Sequence, residues 1–217
     1  ILASLIYQKK NFEFDILKNI SEFENPFYFN YLKKKNYNEF LQLNKLDILS
    51  LHWIESQKKI NLQNQNFFFK THASNISYLK NEYTLPQTTR GVIYILRDPR
   101  DVMISYANHL NKTIDDVIEI SQNINATSYS SKGGYPILMS RWDFHILSWL
   151  KLNVPKMFIK YEHLLSNTEG VILQLINFLN NELEIKIDID SEGIANIIQN
   201  TSFKNLQNKE SILGFPE

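Results

Sequence analysis

Apolar positions along this chain alternate between short unbroken runs and stretches where they recur every three or four residues. Val92-Ile93-Tyr94-Ile95-Leu96 is one such run, partly β-branched, and predicts a strand buried on both faces of a parallel sheet. Phe67-Phe68-Phe69, entering Lys70-Thr71-His72, predicts a second buried strand. Met157-Phe158-Ile159, ending at Tyr161-Glu162, predicts a third. Ile1 to Tyr7 fits the tail of a helix. Ile48 to Lys59 reads as an amphipathic helix closing on the cations Lys58 and Lys59. The connection between the first two strands contains Pro86 and is long enough for a crossover with a short helix. Thr113 with Asp116 predicts a cap and a helix through about Ile124. Met139 to Leu150 is helical in pattern, with Trp142, His145 and Trp149 along one face; His145 and Trp149 read as core or helix-packing residues. Ser166 with Glu169 precedes the stripe Val171, Ile172, Leu175, Ile176, Leu179, and Ser191 precedes Ile194, Ile197 and Ile198. Strands alternating with helices predict an α/β fold around a parallel sheet, in a single domain without repeat or linker.

The sharpest transition lies at Arg97-Asp98-Pro99-Arg100-Asp101. Here a strand ends and a helix begins within two residues. Asp98 is a good N-cap, Pro99 suits the first helical position, and Asp101 falls three residues after the cap. Ligands of open α/β sheets bind at the carboxyl ends of strands, and helix N-termini favour anions. An arginine held there suits a phosphate, because its planar fork donates two parallel hydrogen bonds.

Composition narrows the classes. In 217 residues, 23 Lys and Arg balance 23 Asp and Glu, which argues against general nucleic-acid binding or attraction to an acidic membrane. The chain has no cysteine, so thiolate chemistry, disulfides and thiolate zinc sites are excluded; this fits a reducing, cytoplasmic compartment. No residue pattern calls for a metal. No apolar run approaches a membrane span. The start at Ile1, in mid-pattern, and the end at Glu217 suggest a chain cut at both ends. Phe12 to Phe40 is rich in aromatics, Asn and Lys; it suits ordinary packing in short helices or a lid over an acceptor. Ser128 to Gly134 is small and polar, as in a mobile surface loop.

Three strand ends should open onto one edge of the sheet, bringing together Lys70, His72, Arg97 and Tyr161. Each also fits a structural role. His72 can hydrogen-bond a backbone group, Lys70 can be a surface cation, and Arg97 can pair with Asp98 or Asp101. Their repeated placement at strand ends favours a common site. These residues resemble a known family. Lys70-Thr71-His72 looks like the K-T-H segment of cytosolic-type sulfotransferases. Arg97 to Ser105, RDPRDVMIS, looks like their 3′-phosphate-binding segment. Tyr161-Glu162-His163-Leu164 is similar to their Y-E-D-L, with His163 in place of Asp, and Thr201-Ser202-Phe203 to their T-S-F.

The resemblance implies a three-layer, P-loop-NTPase-like α/β fold with a central parallel sheet flanked by helices. It implies transfer of a sulfuryl group from 3′-phosphoadenosine 5′-phosphosulfate (PAPS; product PAP) to a hydroxyl or amine on a small molecule or glycan. Arg97 and Ser105 would hold the 3′-phosphate. Tyr161, Thr201 and Phe203 would surround the adenine. His72 would act as general base and Lys70 would stabilise charge on the transferring group. From position and composition, Phe12 to Phe40 and Ser128 to Gly134 are the segments expected to select the acceptor. The family's Gly- and Lys-containing phosphosulfate loop would lie immediately before Ile1 and its R-K-G segment beyond Glu217, so the fragment alone is expected to be inactive. Two alternatives stay open: a non-catalytic nucleotide-binding or interaction protein of the same fold, and a nucleotide kinase of similar architecture.

Overall fold

Val92–Leu96 is a strand, as its apolar run predicts, and in the computed structural model it pairs with Lys156–Lys160. The structure describes residues 1–7, 14–24, 45–61, 65–129 and 135–213. Among these, strands pair two by two in four small sheets, between helices that follow the expected alternation. Val92–Leu96 is half-buried along its length and Ile95 is 57% exposed, which corrects the expectation of burial on both faces. Among the described residues it pairs with a single strand, Lys156–Lys160. Backbone contacts divide the chain into two compact units.

The first unit comprises Ile1–Ser21, Ile93–Arg97 and Pro155–Glu217. The short helix Leu2–Tyr7 packs on a 3₁₀ turn at Phe14–Asn19, where Ala3 and Ile16 meet Leu17, Ile20 and Leu206. Tyr94 and Phe158 lie ring against ring at 5.5 Å across the strand pair. Tyr161–Ser166 is a helix, so Tyr161 stands at the first turn after the strand. The next helix, Thr168–Asn177, is capped by Asn167, whose side chain accepts from the Gly170 N–H at 3.1 Å. That corrects the Ser166–Glu169 box: the preceding helix runs through Ser166, leaving Asn167 as the first residue free to cap. Val171, Ile172, Leu175 and Leu179 are buried as the stripe predicts. Likewise Asp190, not Ser191, caps Ser191–Asn200 by accepting from Gly193 N–H at 2.8 Å, and Ile194 and Ile197 point inward.

The second unit comprises Glu22–Val92 and Asp98–Val154. The predicted helix from Ile48 to Lys59 is two helices, Lys45–Ser50 and Trp53–Asn61, broken at a turn where His52 is held by Glu55 at 3.0 Å. The Phe67 to Phe69 run yields only Phe69–Lys70 as strand, half-buried, with Phe67 stacked on Phe69 at 6.3 Å. No helix follows in the connection. Instead Ser77–Tyr78 pairs antiparallel with Asn81–Glu82 through Leu79 and Lys80, both at positive φ, as a tight hairpin turn requires. Asp98 caps Pro99–Leu110 as expected, accepting from Arg100 N–H at 2.9 Å. Thr113 and Asp116 form a reciprocal capping box on Ile114–Gln122. Thr127–Tyr129 pairs antiparallel with the buried strand Pro136–Leu138, so the loop expected to begin at Ser128 is strand through Tyr129. Residues 130–134 lie outside the described residues. The helix expected from Met139 begins at Trp142 and runs to Lys151.

Candidate active site

Of the predicted site residues, the second unit holds Lys70, His72 and Ser105, and the first holds Arg97, Tyr161, Thr201 and Phe203. Within the first unit the structure brings two together. The Arg97 guanidinium lies 4.8 Å from the centroid of the Tyr161 ring, over its face. Arg97 follows the last residue of one strand and Tyr161 the last residue of its partner, so strand pairing alone sets them side by side. Such a contact contributes about 0.5–2 kcal/mol. The Asp98 carboxylate grips Arg100, with Oδ2 accepting from Nη2 at 2.6 Å and Oδ1 from Nε at 3.0 Å. Hydrogen bonds from the Arg100 side chain and backbone hold Asp98 down at about 2, so it stays ionised as a cap. Thr201 ends the helix Ser191–Asn200, its hydroxyl donating to Ile197 O at 2.8 Å. Phe203 is 72% exposed at the start of Phe203–Leu213, an aromatic face open to solvent. Ser105 is exposed on Pro99–Leu110.

In the second unit, Lys70 is half-buried at the end of its strand, its carbonyl accepting from Phe23 N–H at 3.0 Å, and His72 is exposed two residues on. Thr71 between them is tied inward. Its hydroxyl donates to Glu24 Oε1 at 2.8 Å, and the Tyr83 hydroxyl donates to the same oxygen at 2.6 Å. Thr71 Oγ1 in turn accepts from Ala73 N–H at 2.9 Å. Phe23, Trp53 and Trp149 meet the Tyr83 ring edge to face, and Phe69 meets Phe23 in the same way. Glu24 falls within the aromatic stretch from Phe12 to Phe40; residues 12–13 and 25–40 of that stretch lie outside the described residues. No periodicity marked Glu24, because a buried carboxylate interrupts an apolar pattern without announcing its partners.

Glu24 is 1% exposed, and its Oε2 has no hydrogen-bond partner among the described residues. Burial raises it to about 7, against the opposing pull of the Tyr83 and Thr71 hydrogen bonds. Between the ordinary carboxyl value of 4.5 and about 7, the folded chain therefore holds a proton that the unfolded chain has released. Stability falls as pH rises through that window, by roughly 3 kcal/mol at about 1.4 kcal/mol for each pH unit, and levels off above it. Urea unfolding of wild type and Glu24→Gln from pH 4.5 to 8 should show the variant gaining on the wild type as pH rises. A constant difference across that range would mean that Glu24 is ionised in the fold throughout.

Among the described residues, no group of His, Asp and Glu is placed to hold a metal ion, and no helix is long and apolar enough to cross a membrane. Comparison with known proteins gives consistent matches. Residues 2–212 match the model of the sulfotransferase domain. An amine sulfotransferase of Oryctolagus cuniculus is 25% identical over 137 residues, covering 62% of this chain and 42% of the relative. A luciferin sulfotransferase of Photinus pyralis is 25% identical over 147 residues, covering 67% of this chain and 36% of the relative. A crystal structure of the mouse sulfotransferase SULT7A1 complexed with PAP aligns at a TM-score of 0.47 and 19% identity, covering 68% of this chain and 50% of that one. This chain thus spans less than half the length of either curated relative. Since the domain model extends over nearly every described element, from the helix Leu2–Tyr7 to the helix Phe203–Leu213, the chain belongs to the sulfotransferase domain family.

Proposed function

We propose that the protein containing this chain is a sulfotransferase that uses PAPS and sulfates a hydroxyl or amine on a small molecule or glycan. The observation that carries this reading is the Arg97 guanidinium set over the Tyr161 ring, 4.8 Å from its centroid, at paired strand ends. A fixed guanidinium beside an aromatic face suits a nucleotide bearing a phosphate, since the fork can take two phosphate oxygens and the ring can meet a base. Thr201 and the open face of Phe203 supply a hydroxyl and a second ring from the same unit. Ser105, exposed on its helix, would add a hydroxyl donor to the 3′-phosphate.

When bound, the phosphosulfate cofactor supplies the activated sulfuryl group. The chain's own part is to orient and to handle charge and protons. His72 would accept the proton of the acceptor's hydroxyl or amine at an imidazole nitrogen. Lys70 would place an ammonium near the developing negative charge, a donor-only group that needs no rearrangement during the reaction. Acceptor choice is assigned to the stretches from Phe12 to Phe40 and from Ser128 to Gly134, most of which lie outside the described residues.

The full-length protein should bind PAP in calorimetry and transfer radiolabelled sulfate from PAPS to at least one member of a panel of amines, phenols and sterols. PAP binding with no transfer to any acceptor would favour a non-catalytic nucleotide-binding protein. Absence of PAP binding, with phosphoryl transfer from ATP, would favour a nucleotide kinase.

A further inference from the structure

Residues 72–75 leave the strand Phe69–Lys70 as irregular chain, yet every step of this segment is held by a named bond. Thr71 Oγ1 accepts from Ala73 N–H at 2.9 Å, and Ser74 N–H and Oγ–H both donate to Leu138 O at 2.9 Å. One helix supplies the rest. From Trp142–Lys151, His145 Nε2 lies 3.1 Å from His72 O, Trp149 Nε1–H donates to Ala73 O at 3.0 Å, and Ser148 Oγ accepts from Asn75 N–H at 2.9 Å. Positions 145, 148 and 149 are spaced by three and four residues, so a single helical face addresses the loop backbone at His72, Ala73 and Asn75. Ser148 is itself oriented, its hydroxyl donating to His145 O at 2.7 Å.

We propose that His145, Ser148 and Trp149 are positioning residues that set the backbone carrying His72, and hence the direction of its imidazole. The proposal rests on the reading of His72 as the general base. A backbone carbonyl is an acceptor only, so His145 must present a protonated Nε2 to His72 O. Burial lowers the proton affinity of His145 below the ordinary histidine value, which favours the neutral, singly protonated ring. Trp149 is buried, its ring standing edge-to-face on Tyr83 at 6.0 Å. The same Tyr83 donates to Glu24, which accepts from Thr71. The Lys-Thr-His segment is therefore held from two directions: through the Thr71 side chain by Glu24 and Tyr83, and through the backbone after His72 by one face of the helix. Misplacing a reacting group by about 1 Å can cost ~10²-fold in rate, so this bracing matters for turnover more than for nucleotide binding.

The test uses the full-length protein and three variants. His145→Ala removes the ring, His145→Gln retains an N–H donor, and Trp149→Phe keeps an aromatic body while deleting the indole N–H. His145→Ala and Trp149→Phe should each lower kcat about 10- to 100-fold while the PAP dissociation constant, measured by calorimetry, changes less than about threefold. His145→Gln should recover most of the loss. Amide hydrogen exchange at Ala73 and Asn75 should quicken in His145→Ala and return towards wild type in His145→Gln. Unchanged kcat in both His145→Ala and Trp149→Phe, while His72→Ala is inactive, would overturn the positioning role alone. Wild-type turnover in His72→Ala would overturn the base assignment beneath it. Equal failure of His145→Gln and His145→Ala, with both losing PAP affinity, would indicate a role in folding only and would overturn the proposal.

Discussion

His72→Ala in the full-length protein is expected to lower turnover by ~10²–10⁴-fold, the usual contribution of a positioned general base, while PAP affinity changes little. The expectation follows from where the side chain sits. His72 is exposed beyond a strand end, while its backbone is held by bonds to neighbouring elements. An accessible imidazole on a fixed backbone suits proton removal, since the base must meet the proton at hydrogen-bond distance. The remaining histidines are placed differently. His52 is buried against Glu55, His145 is engaged with the carbonyl of His72, His109 stacks on Tyr106, and His163 lies on the helix Tyr161–Ser166 of the other unit. His72→Gln, which keeps polarity but cannot accept and carry a proton at neutral pH, should be as slow as the alanine variant. Steady-state rates with saturating PAPS, together with calorimetry of PAP, check both halves of the expectation. Turnover at the wild-type rate in either variant would remove His72 from the mechanism.

Arg97→Ala is expected to act on nucleotide binding. Losing a partly buried guanidinium that meets a phosphate costs about 2–5 kcal/mol, a weakening of PAP binding of at least ~30-fold. Arg97→Lys should recover only part of it. The ammonium keeps a positive charge but cannot donate the parallel pair of bonds or set a planar guanidinium over Tyr161. Tyr161→Leu should weaken binding by a smaller factor, since it removes the plate under the guanidinium and leaves the cation in place. Calorimetric titration of each variant with PAP, beside adenosine 5′-phosphosulfate as a ligand lacking the 3′-phosphate, separates the contributions. The penalty of Arg97→Ala should shrink when the 3′-phosphate is missing. An unchanged PAP affinity in Arg97→Ala would place the phosphate elsewhere.

Much of the site's scaffold was legible because it is written in local chemistry. Asp98 and Pro99 start their helix as expected, since a cap is satisfied by backbone groups two or three residues away. Thr113 and Asp116 close on each other for the same reason. The caps at Asn167 and Asp190 were misplaced by one residue. Ser166 and Ser191 are also good cap residues, and the choice between neighbours depends on where the preceding chain ends. The Ser77–Tyr78 and Asn81–Glu82 hairpin has no local signature, because Leu79-Lys80 lacks the Asn or Gly that usually marks positive φ. Likewise the strand Thr127–Tyr129 carries no apolar run, since Thr127 and Ser128 are polar.

Sequence by itself determined the α/β class, the family, and the strand ends at which Lys70, His72, Arg97 and Tyr161 stand. Those follow from apolar periodicity, turn chemistry and short ordered motifs, all of which are properties of neighbours along the chain. The tertiary structure alone decided what holds them. Glu24 reaches Thr71 across 47 positions, His145 reaches the His72 carbonyl across 73, and Trp149 reaches Ala73 across 76. Periodicity reports that a face is buried, and it marked His145 and Trp149 as packing residues on that ground. It cannot report which distant carbonyl or hydroxyl a buried polar atom will meet, because that partner exists only once the chain has folded.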